Sequence, residues 1–420
     1  MRKDFRFSIT IRKLLFLFSF ISIVASASQS NNVYISSNIN KNIEQNKQIL
    51  LTLAQNQYLI PEYPLWQNGK IKITSFSNFD IIPKTMQKTL PGEEKSYFAL
   101  SNIGLSIDAK ISKMLSTHAS IVYYKSNKGQ GNLNKNTGIM LDDAYFTFAN
   151  FNKAPFFIQG GRFYLPFGDY DRFSIEPSLS QVLSIARAEG IKAGLVNWHG
   201  LTTGVYVTNG QLKNKNSKIQ GAMNYGAFIH YQWHNLRGWH IQTNLDYIYN
   251  MLNVNALAES DSFNAESNHT YTKPIPGIAT KIAVSYKFLT LFGRYVSALK
   301  PSQDLVKSYS NPATRANPIY GAKPSAWDLG TMIHFNIWNK PSHIDFTYSH
   351  SADTAGLIIF NTLPDIYPMS KRRYTLGYTV EWNKHFYTTL EWGHNWLYQC
   401  ATASPSRQGD NATIRLGIKF

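Results

Sequence analysis

The chain has little cysteine, little charge and no long apolar run in its main part. Its 420 residues contain one cysteine, and only 16% of them are charged. A single cysteine excludes a disulfide scaffold and a cysteine-based zinc site. The charged fraction is well below the roughly 25% of soluble domains, and Glu, Lys, Ala and Leu do not dominate, which excludes a coiled-coil rod. After the N-terminus no stretch approaches 18 consecutive apolar residues, which excludes a transmembrane helix.

Known catalytic motifs are also absent. The sequence contains no GxSxG, HExxH or P-loop pattern, and its eleven histidines are scattered. Scattered histidines leave open an enzyme that pairs Ser or Asp with His at the lip of a barrel. We nevertheless predict a protein that is not an enzyme, that needs no cofactor and no metal, and that binds no nucleic acid.

Aromatic and small polar residues are abundant instead. Aromatic residues make up 14% of the chain, with 25 Tyr and 25 Phe. A disordered chain would be poor in aromatic residues and rich in charge. The composition, which is also rich in Asn, Ser and Thr, is typical of all-β proteins, including membrane barrels.

The N-terminus predicts export. Basic residues between Arg2 and Lys13 precede an apolar stretch, residues 14–24, and Ala25-Ser26-Ala27 supplies a small-residue cleavage pattern. Residues 1–27 are therefore predicted to be a secretory signal peptide. Cleavage would remove five basic residues and one acidic residue, which lowers the formal net charge from +17 to +13. An exported chain without helical spans is either soluble or a β-barrel.

Residues 28–66 are predicted to form a polar periplasmic segment. Ile39, Ile43, Leu50 and Leu53 fall on a spacing close to 3.5 residues, which fits a short amphipathic helix or coiled coil. A flexible leader fits the same composition equally well.

From about residue 70 the apolar period changes to two. Trp239, Leu245 and Tyr247 share one face of a predicted strand, while Asn244 and Asp246 share the other. Such alternation predicts a strand with one apolar face. Sixteen segments of this kind lie near 70–80, 98–110, 115–124, 140–150, 154–164, 189–198, 200–209, 221–233, 239–250, 276–288, 290–299, 325–338, 342–350, 371–382, 385–396 and 411–420.

The connections between these segments alternate between short turns and long loops. This alternation is the pattern of outer-membrane barrels, whose periplasmic turns are short and whose extracellular loops are long. An even number of strands also leaves both ends of the barrel on the periplasmic side. We predict an all-β fold in which residues 67–420 form a 16-stranded antiparallel transmembrane β-barrel in the outer membrane of a Gram-negative bacterium.

Two further patterns support a membrane barrel. Five tryptophans lie at strand ends beside the short turns, which predicts an aromatic girdle in contact with lipid: Trp198, Trp233, Trp239, Trp338 and Trp382. The last predicted strand ends in Phe420 with alternate apolar residues before it. This ending resembles the signal that the barrel-assembly machinery recognises.

The lumen of a sixteen-stranded barrel is too wide for side chains to fill, so we expect a water-filled channel. The polar face of the strands carries more cations than acids, and a mildly basic lumen favours anionic solutes. The alternative is a mixed-charge wall whose charges neutralise each other. The cations predicted to bind a ligand in the lumen are Lys281, Arg294, Arg373 and Arg415.

One motif, residues 160–169 (GGRFYLPFGD), lies where the fifth strand enters its long loop. Pro166 cannot continue the strand ladder, and Gly168 permits a sharp bend. We predict that Arg162, Pro166, Phe167 and Gly168 direct the loop, residues 165–188, into the lumen as a constriction. The alternative is an ordinary strand exit.

This strand exit resembles that of several porin families, and the whole plan resembles the LbtU-type siderophore porins. The resemblance implies uptake of a ferric siderophore without TonB-type energy coupling. The length of the chain agrees with the absence of energy coupling. An energised transporter has 22 strands and a plug inside the barrel, and the 393 residues left after cleavage are too few for both. A general or anion-selective diffusion porin and a structural or adhesive barrel remain alternatives. The sequence identifies neither the solute that is carried nor whether the protein forms a homo-oligomer.

Overall fold

The structure, a computed structural model, describes twelve segments of the chain, and every structural statement below concerns them. All belong to one compact unit, Leu53–Phe420. The predicted signal peptide, the segment 28–66, Cys400 and Phe420 lie outside the described residues. The described segments are 71–82, 97–124, 138–150, 153–168, 174–215, 223–234, 238–258, 270–311, 316–355, 357–360, 366–398 and 408–419.

Sixteen strands of the described residues form a closed antiparallel barrel, as the sequence predicts. Each strand pairs with the next, and residues 76–81 of the first strand pair with residues 414–419 of the last. Closure leaves no unpaired sheet edge. The strands are β1 Ile71–Ile82, β2 Tyr97–Lys110, β3 Leu115–Tyr124, β4 Gly138–Ala149, β5 Phe156–Tyr164, β6 Arg187–Trp198, β7 Leu201–Asn209, β8 Met223–His234, β9 Trp239–Ile248, β10 Gly277–Tyr286, β11 Leu289–Ala298, β12 Ser325–Ile337, β13 Lys340–Ala352, β14 Arg372–Glu381, β15 Phe386–Trp396 and β16 Gln408–Lys419.

Several long loops contain secondary structure that the sequence pattern did not predict. Ser302–Asn311 and Ala316–Ala322 pair as one hairpin, and Ile358–Phe360 and Ile366–Pro368 pair as another. A short helix, α1, spans Leu179–Val182. The loop after β9 contains a 3-10 turn, Met251–Asn253, and a second helix, α2, Asn255–Ala258. None of the helices in the described segments is long and apolar enough to cross a membrane.

The barrel wall alternates between an apolar outer face and a polar inner face. On β9, Leu245 is 47% exposed on the outside, whereas Asn244 and Asp246 are buried on the inside. The structure therefore has the faces of this strand as the sequence predicts them. Alternation of this kind is required when one side of a sheet meets hydrocarbon and the other meets water.

Aromatic residues mark both rims of the outer face. Trp338 and Trp382 stack at the short-turn rim, as predicted for one girdle. Tyr348, Tyr374 and Trp396 contact one another near the long-loop rim and form a second girdle. From Tyr374 to Trp382 a strand covers about 27 Å, or roughly 20 Å along the axis at a 40° tilt. This height approaches the roughly 25 Å of an outer-membrane apolar band.

An apolar core fills part of the long-loop end of the barrel. Phe167, Leu179 and Leu183 of one loop pack with Met251 and Leu257 of another, and all five are fully buried. The backbone N–H of Asn255 donates to Ile185 O over 3.0 Å and joins the two loops. At this end the lumen therefore contains packed apolar side chains rather than water alone.

Candidate channel constriction

The predicted constriction loop leaves β5 by a sharp bend. Leu165 N still donates to Ala186 O over 2.8 Å, but Pro166 has no N–H to continue the ladder. Gly168 has φ +86°, and a Cβ there would lie 2.3 Å from Ser184 Cβ. Position 168 therefore needs glycine for both its backbone conformation and its close contact.

The first attachment of the loop inside the barrel is at β9. Gly168 N donates to Asp246 Oδ2 over 2.9 Å, and His230 Nε2 lies 2.7 Å from the other oxygen of this carboxylate. Asp246 faces the lumen and is buried. The bend after β5 thus turns the chain inward.

A second attachment lies on β14 to β16, across the barrel. The backbone N–H groups of Ile175 and Glu176 both donate to the carboxylate of Glu391, the second over 3.0 Å. The side chain of Glu176 accepts from Asn411 and lies 3.3 Å from Arg373 Nη1. Charged hydrogen bonds in a buried site are among the stronger ones.

A third attachment uses the N-terminus of α1. Ser178 caps this helix in a reciprocal capping box with Gln181. Ser178 Oγ donates to Asp328 Oδ2 over 2.5 Å, and Ser180 Oγ donates to the same oxygen. The described parts of the loop, residues 165–168 and 174–186, are therefore attached to the inner wall at three points on well-separated strands.

Three of the four predicted ligand residues lie in one row across the inner wall. Lys281 is in register with Arg294, and Arg294 is in register with Asp328. The row continues through Ser349 to Arg373. Because the constriction loop binds Asp328 and Arg373, it covers this row, and Lys281 and Arg294 are buried.

Arg415, the fourth predicted ligand residue, lies elsewhere. Its Nε and Nη2 each donate over 2.7 Å to the carboxylate of Asp80. Asp80 is on β1 and Arg415 is on β16, so this bidentate pair bridges the two strands that close the barrel. The arrangement gives Arg415 a structural role at the seam, and the structure does not bring it to the other three cations.

The inner wall is more acidic than the sequence pattern indicates. Asp80, Asp143 and Asp345 also face inward and are almost completely buried. With them, carboxylates and cations of the described inner wall are comparable in number. The predicted excess of positive charge is therefore not found there, and the wall has mixed charge.

Some inward side chains keep access to solvent, and they lie on β2 and β3. His118 bridges two carboxylates, with Nδ1 2.7 Å from Asp108 Oδ1 and Nε2 3.3 Å from Asp143 Oδ1. Its ring stacks on Tyr145 at a centroid distance of 4.9 Å. The side chain of Asp108 is 24% exposed, more than the covered row. Solutes would meet this cluster where the loop leaves the lumen open.

Arg162 does not join the other motif residues in the lumen. It shares the outward face of β5 with Phe156 and Ile158. It lines a cavity of about 290 Å³ at the long-loop ends of β5 to β7, together with Arg187 and Glu189. The prediction that Arg162 takes part in the constriction is therefore corrected, whereas Phe167 and Gly168 do face inward.

Sequence reasoning missed several residues of the site. A bulge shifts the register of β3 and β4 between Ser120 and Ile121, so strand parity alone misplaces Asp143. Glu176 and Ser180 lie in a loop, where no period exists to identify them. Asp80 and Asp345 had a usable signal, because each stands between two apolar residues of its strand.

Comparisons with known proteins support the fold. No family model matches the chain. The chain is 25% identical over 280 residues to a UPF0422 protein of Coxiella burnetii. The matched region covers 66% of this chain and 54% of that protein, so the chain spans about half the length of this curated relative.

Solved structures of porins share the architecture. The Salmonella typhi OmpF complex with daunomycin superposes with a TM-score of 0.51 at 12% identity, covering 83% of this chain and 97% of that one. The outer membrane channel DcaP of Acinetobacter baumannii gives 0.51 at 10% identity, covering 83% and 97%. Pseudomonas putida OprB gives 0.50 at 11% identity, covering 84% and 94%. The likeness shows that this chain has the fold of outer-membrane porins.

Proposed function

We propose that the protein is an outer-membrane channel through which small polar solutes diffuse across a constriction. The observation that carries this proposal is the loop after β5, which binds the inner faces of β9, β12 and β15. A loop held at three points narrows the channel without closing the barrel wall. The porin fold and the lipid-facing aromatic girdles support the outer-membrane location.

A narrower proposal is uptake of a ferric siderophore or another small anionic solute without TonB-type coupling. It rests on the resemblance of the strand exit and the overall plan to LbtU-type porins. Packed apolar side chains occupy part of the long-loop end of the barrel. This packing favours a selective channel over a wide, unselective pore, because few solutes could pass it. Lys281, Arg294 and Arg373 would supply the positive charge if the loop uncovers their row.

The test is planar-bilayer conductance of the purified, refolded protein. A steady current indifferent to a ferric carboxylate siderophore would support a general diffusion channel. A current blocked by low concentrations of that ligand would support the narrower proposal. Absence of any current, together with loop-dependent attachment to surfaces, would contradict both and favour a structural or adhesive barrel.

Two sets of variants separate the constriction from the charge. Asp328→Asn weakens the hold on α1, so we expect a larger conductance. Asp410→Asn should conduct like the parent, because Asp410 pairs with His394 on the outer face of the wall. Neutralising Lys281, Arg294 and Arg373 together should weaken siderophore uptake. Unchanged uptake would remove these three residues from the narrower proposal.

A further inference from the structure

Asp345 is a buried carboxylate with no compensating partner in the described part of the chain. It faces the barrel interior on β13 and is 0% exposed. Neither carboxylate oxygen has a hydrogen-bond partner among the described residues. An isolated buried charge is so costly that it needs a counter-charge or a proton. The surroundings of Asp345 decide which of these fits.

Gly377 lies between Asp345 and Glu391, and its missing side chain leaves space for a ligand. Gly377 on β14 is in register with Asp345 on one side and with Glu391 on the other. A Cβ at Gly377 would lie 2.3 Å from Asp345 Oδ1 and 2.9 Å from Oδ2, so the carboxylate lies directly over this glycine. Two strand spacings place the flanking backbones about 10 Å apart. Side chains that reach inward over Gly377 can therefore approach a common ion.

Carboxyl groups outnumber cationic side chains in this region even after the nearby ion pair is counted. Glu176 is neutralised by Arg373 at 3.3 Å. Glu391 accepts two backbone N–H groups from the constriction loop, and within the described segments no cationic side chain forms an ion pair with it. When both are ionised, Asp345 and Glu391 contribute two negative charges to one buried region.

A second observation points to a ligand in the same region. His334 Nε2 is buried without a hydrogen-bond partner in the described residues. Its ring lies 5.9 Å from that of His343, and His343 precedes Asp345 by two positions on the same face of β13. Within the described segments, one imidazole nitrogen and two carboxylate oxygens thus face the interior without a protein donor or cation.

We propose that a small hard cation, of the Ca²⁺ or Mg²⁺ class, binds between Asp345 and Glu391. Carboxylate oxygens are the ligands that these cations prefer, at 2.3–2.6 Å for Ca²⁺. No group of three or more His, Cys, Asp or Glu surrounds a common point in the described segments, so water supplies the remaining ligands. Because Glu391 also accepts from the backbone N–H groups of Ile175 and Glu176, the cation would fix in place the carboxylate that holds the constriction loop. The site does not depend on which solute the channel carries.

The experiment follows thermal unfolding of the full-length, refolded protein in detergent while Ca²⁺ is titrated into chelator-treated buffer, with Mg²⁺ in a parallel series. Binding to the folded state raises Tm in a saturable way. Calcium is taken to about 10 mM, above the 0.1–1 mM dissociation constants of extracellular Ca²⁺ modules. The variants are Asp345→Asn and Glu391→Gln, and Glu381→Gln, on the same inner wall, is the matched control.

We expect a saturable rise in Tm for the parent and for Glu381→Gln, and at least a tenfold loss of apparent affinity in each site variant. A rise that persists in both site variants would place the cation elsewhere and overturn the proposal. A parent Tm indifferent to both cations would also overturn it. In that case a higher Tm of Asp345→Asn in chelator would indicate that the two carboxyl groups share a proton instead. If one site variant does not refold, the other still decides.

Discussion

Gly168 donates its backbone N–H to Asp246 Oδ2 over 2.9 Å, although 78 residues separate the two in sequence. The bond exists because Gly168 adopts a φ of +86° and packs against Ser184. One glycine thus sets the direction in which the loop after β5 travels.

Gly168→Ala should release the loop from β9. Positive φ alone costs a non-glycine residue about 1–3 kcal/mol, and the contact with Ser184 adds to that cost. Gly238→Ala is the matched control, because Gly238 has φ +85° but no described atom lies within 4 Å of the point where its Cβ would stand. We expect a larger loss of unfolding free energy and a larger conductance for Gly168→Ala than for Gly238→Ala. Equal effects would show that the contact with Ser184 is unimportant.

Ser184→Gly should partly rescue Gly168→Ala. The substitution removes the Cβ and Oγ that the new methyl group would meet, but it leaves the strain of positive φ. The double variant should therefore lie between Gly168→Ala and the parent in urea-induced unfolding. A double variant less stable than Gly168→Ala would contradict this account.

Leu245→Arg should impair assembly, because Leu245 faces outward near the middle of β9. A charge at the bilayer midplane costs roughly 2–4 kcal/mol in such barrels. Gln242→Arg, on the inner face of the same strand, should fold nearly normally. Both can be compared by the fraction of heat-modifiable folded protein on gels. The opposite order would reverse the assignment of faces.

Arg415→Ala should destabilise the closing seam. It leaves Asp80 buried with its charge uncompensated by Arg415, and breaking a buried ion pair costs about 3–5 kcal/mol. Lys419→Gln is the control on the same strand, since its pair with Glu381 at 3.5 Å is half exposed and worth at most about 1 kcal/mol. The double variant Asp80→Asn with Arg415→Gln should recover much of the loss in urea unfolding. No recovery would show that Arg415 acts through something other than Asp80.

His118→Asn should raise the selectivity of the channel for cations over anions. The change removes the imidazole that lies between Asp108 and Asp143, on the part of the inner wall that retains solvent exposure. Charged groups that line a pore set its selectivity. Reversal potentials in a salt gradient measure the shift, with His385→Asn at a short turn as the control. A reversal potential equal to the parent's would show that solutes do not pass this cluster.

The barrel was predictable from sequence because residues that face lipid and residues that face the lumen alternate along every strand. Leu245 and Asp246 differ by one position and must face opposite media, so the alternation is visible in the sequence itself. The same rule placed Lys281, Arg294 and Arg373 on the inner face. It failed beside Ser120, where a bulge adds a residue to one strand and shifts the faces.

The interior of the barrel was predictable only in outline. Pro166 and Gly168 indicated a bend, since their backbone preferences are local properties. The partners of the bend were not predictable, because Asp246, Asp328 and Glu391 look like ordinary inward polar residues until the loop is placed. Arg162 was misassigned for the same reason: its position beside the bend says nothing about its face, which strand pairing decides.

The attachments of the constriction loop also bear on the order of folding. Glu176 binds Glu391 and Asn411 across 215 and 235 residues of sequence. Contacts between such distant segments form late, because long stretches of chain must be ordered first. Strands β15 and β16 are also the last of the described strands along the chain. The pore can therefore acquire its final width only after the last strand is in place, and a partly assembled barrel would leak more than a finished one.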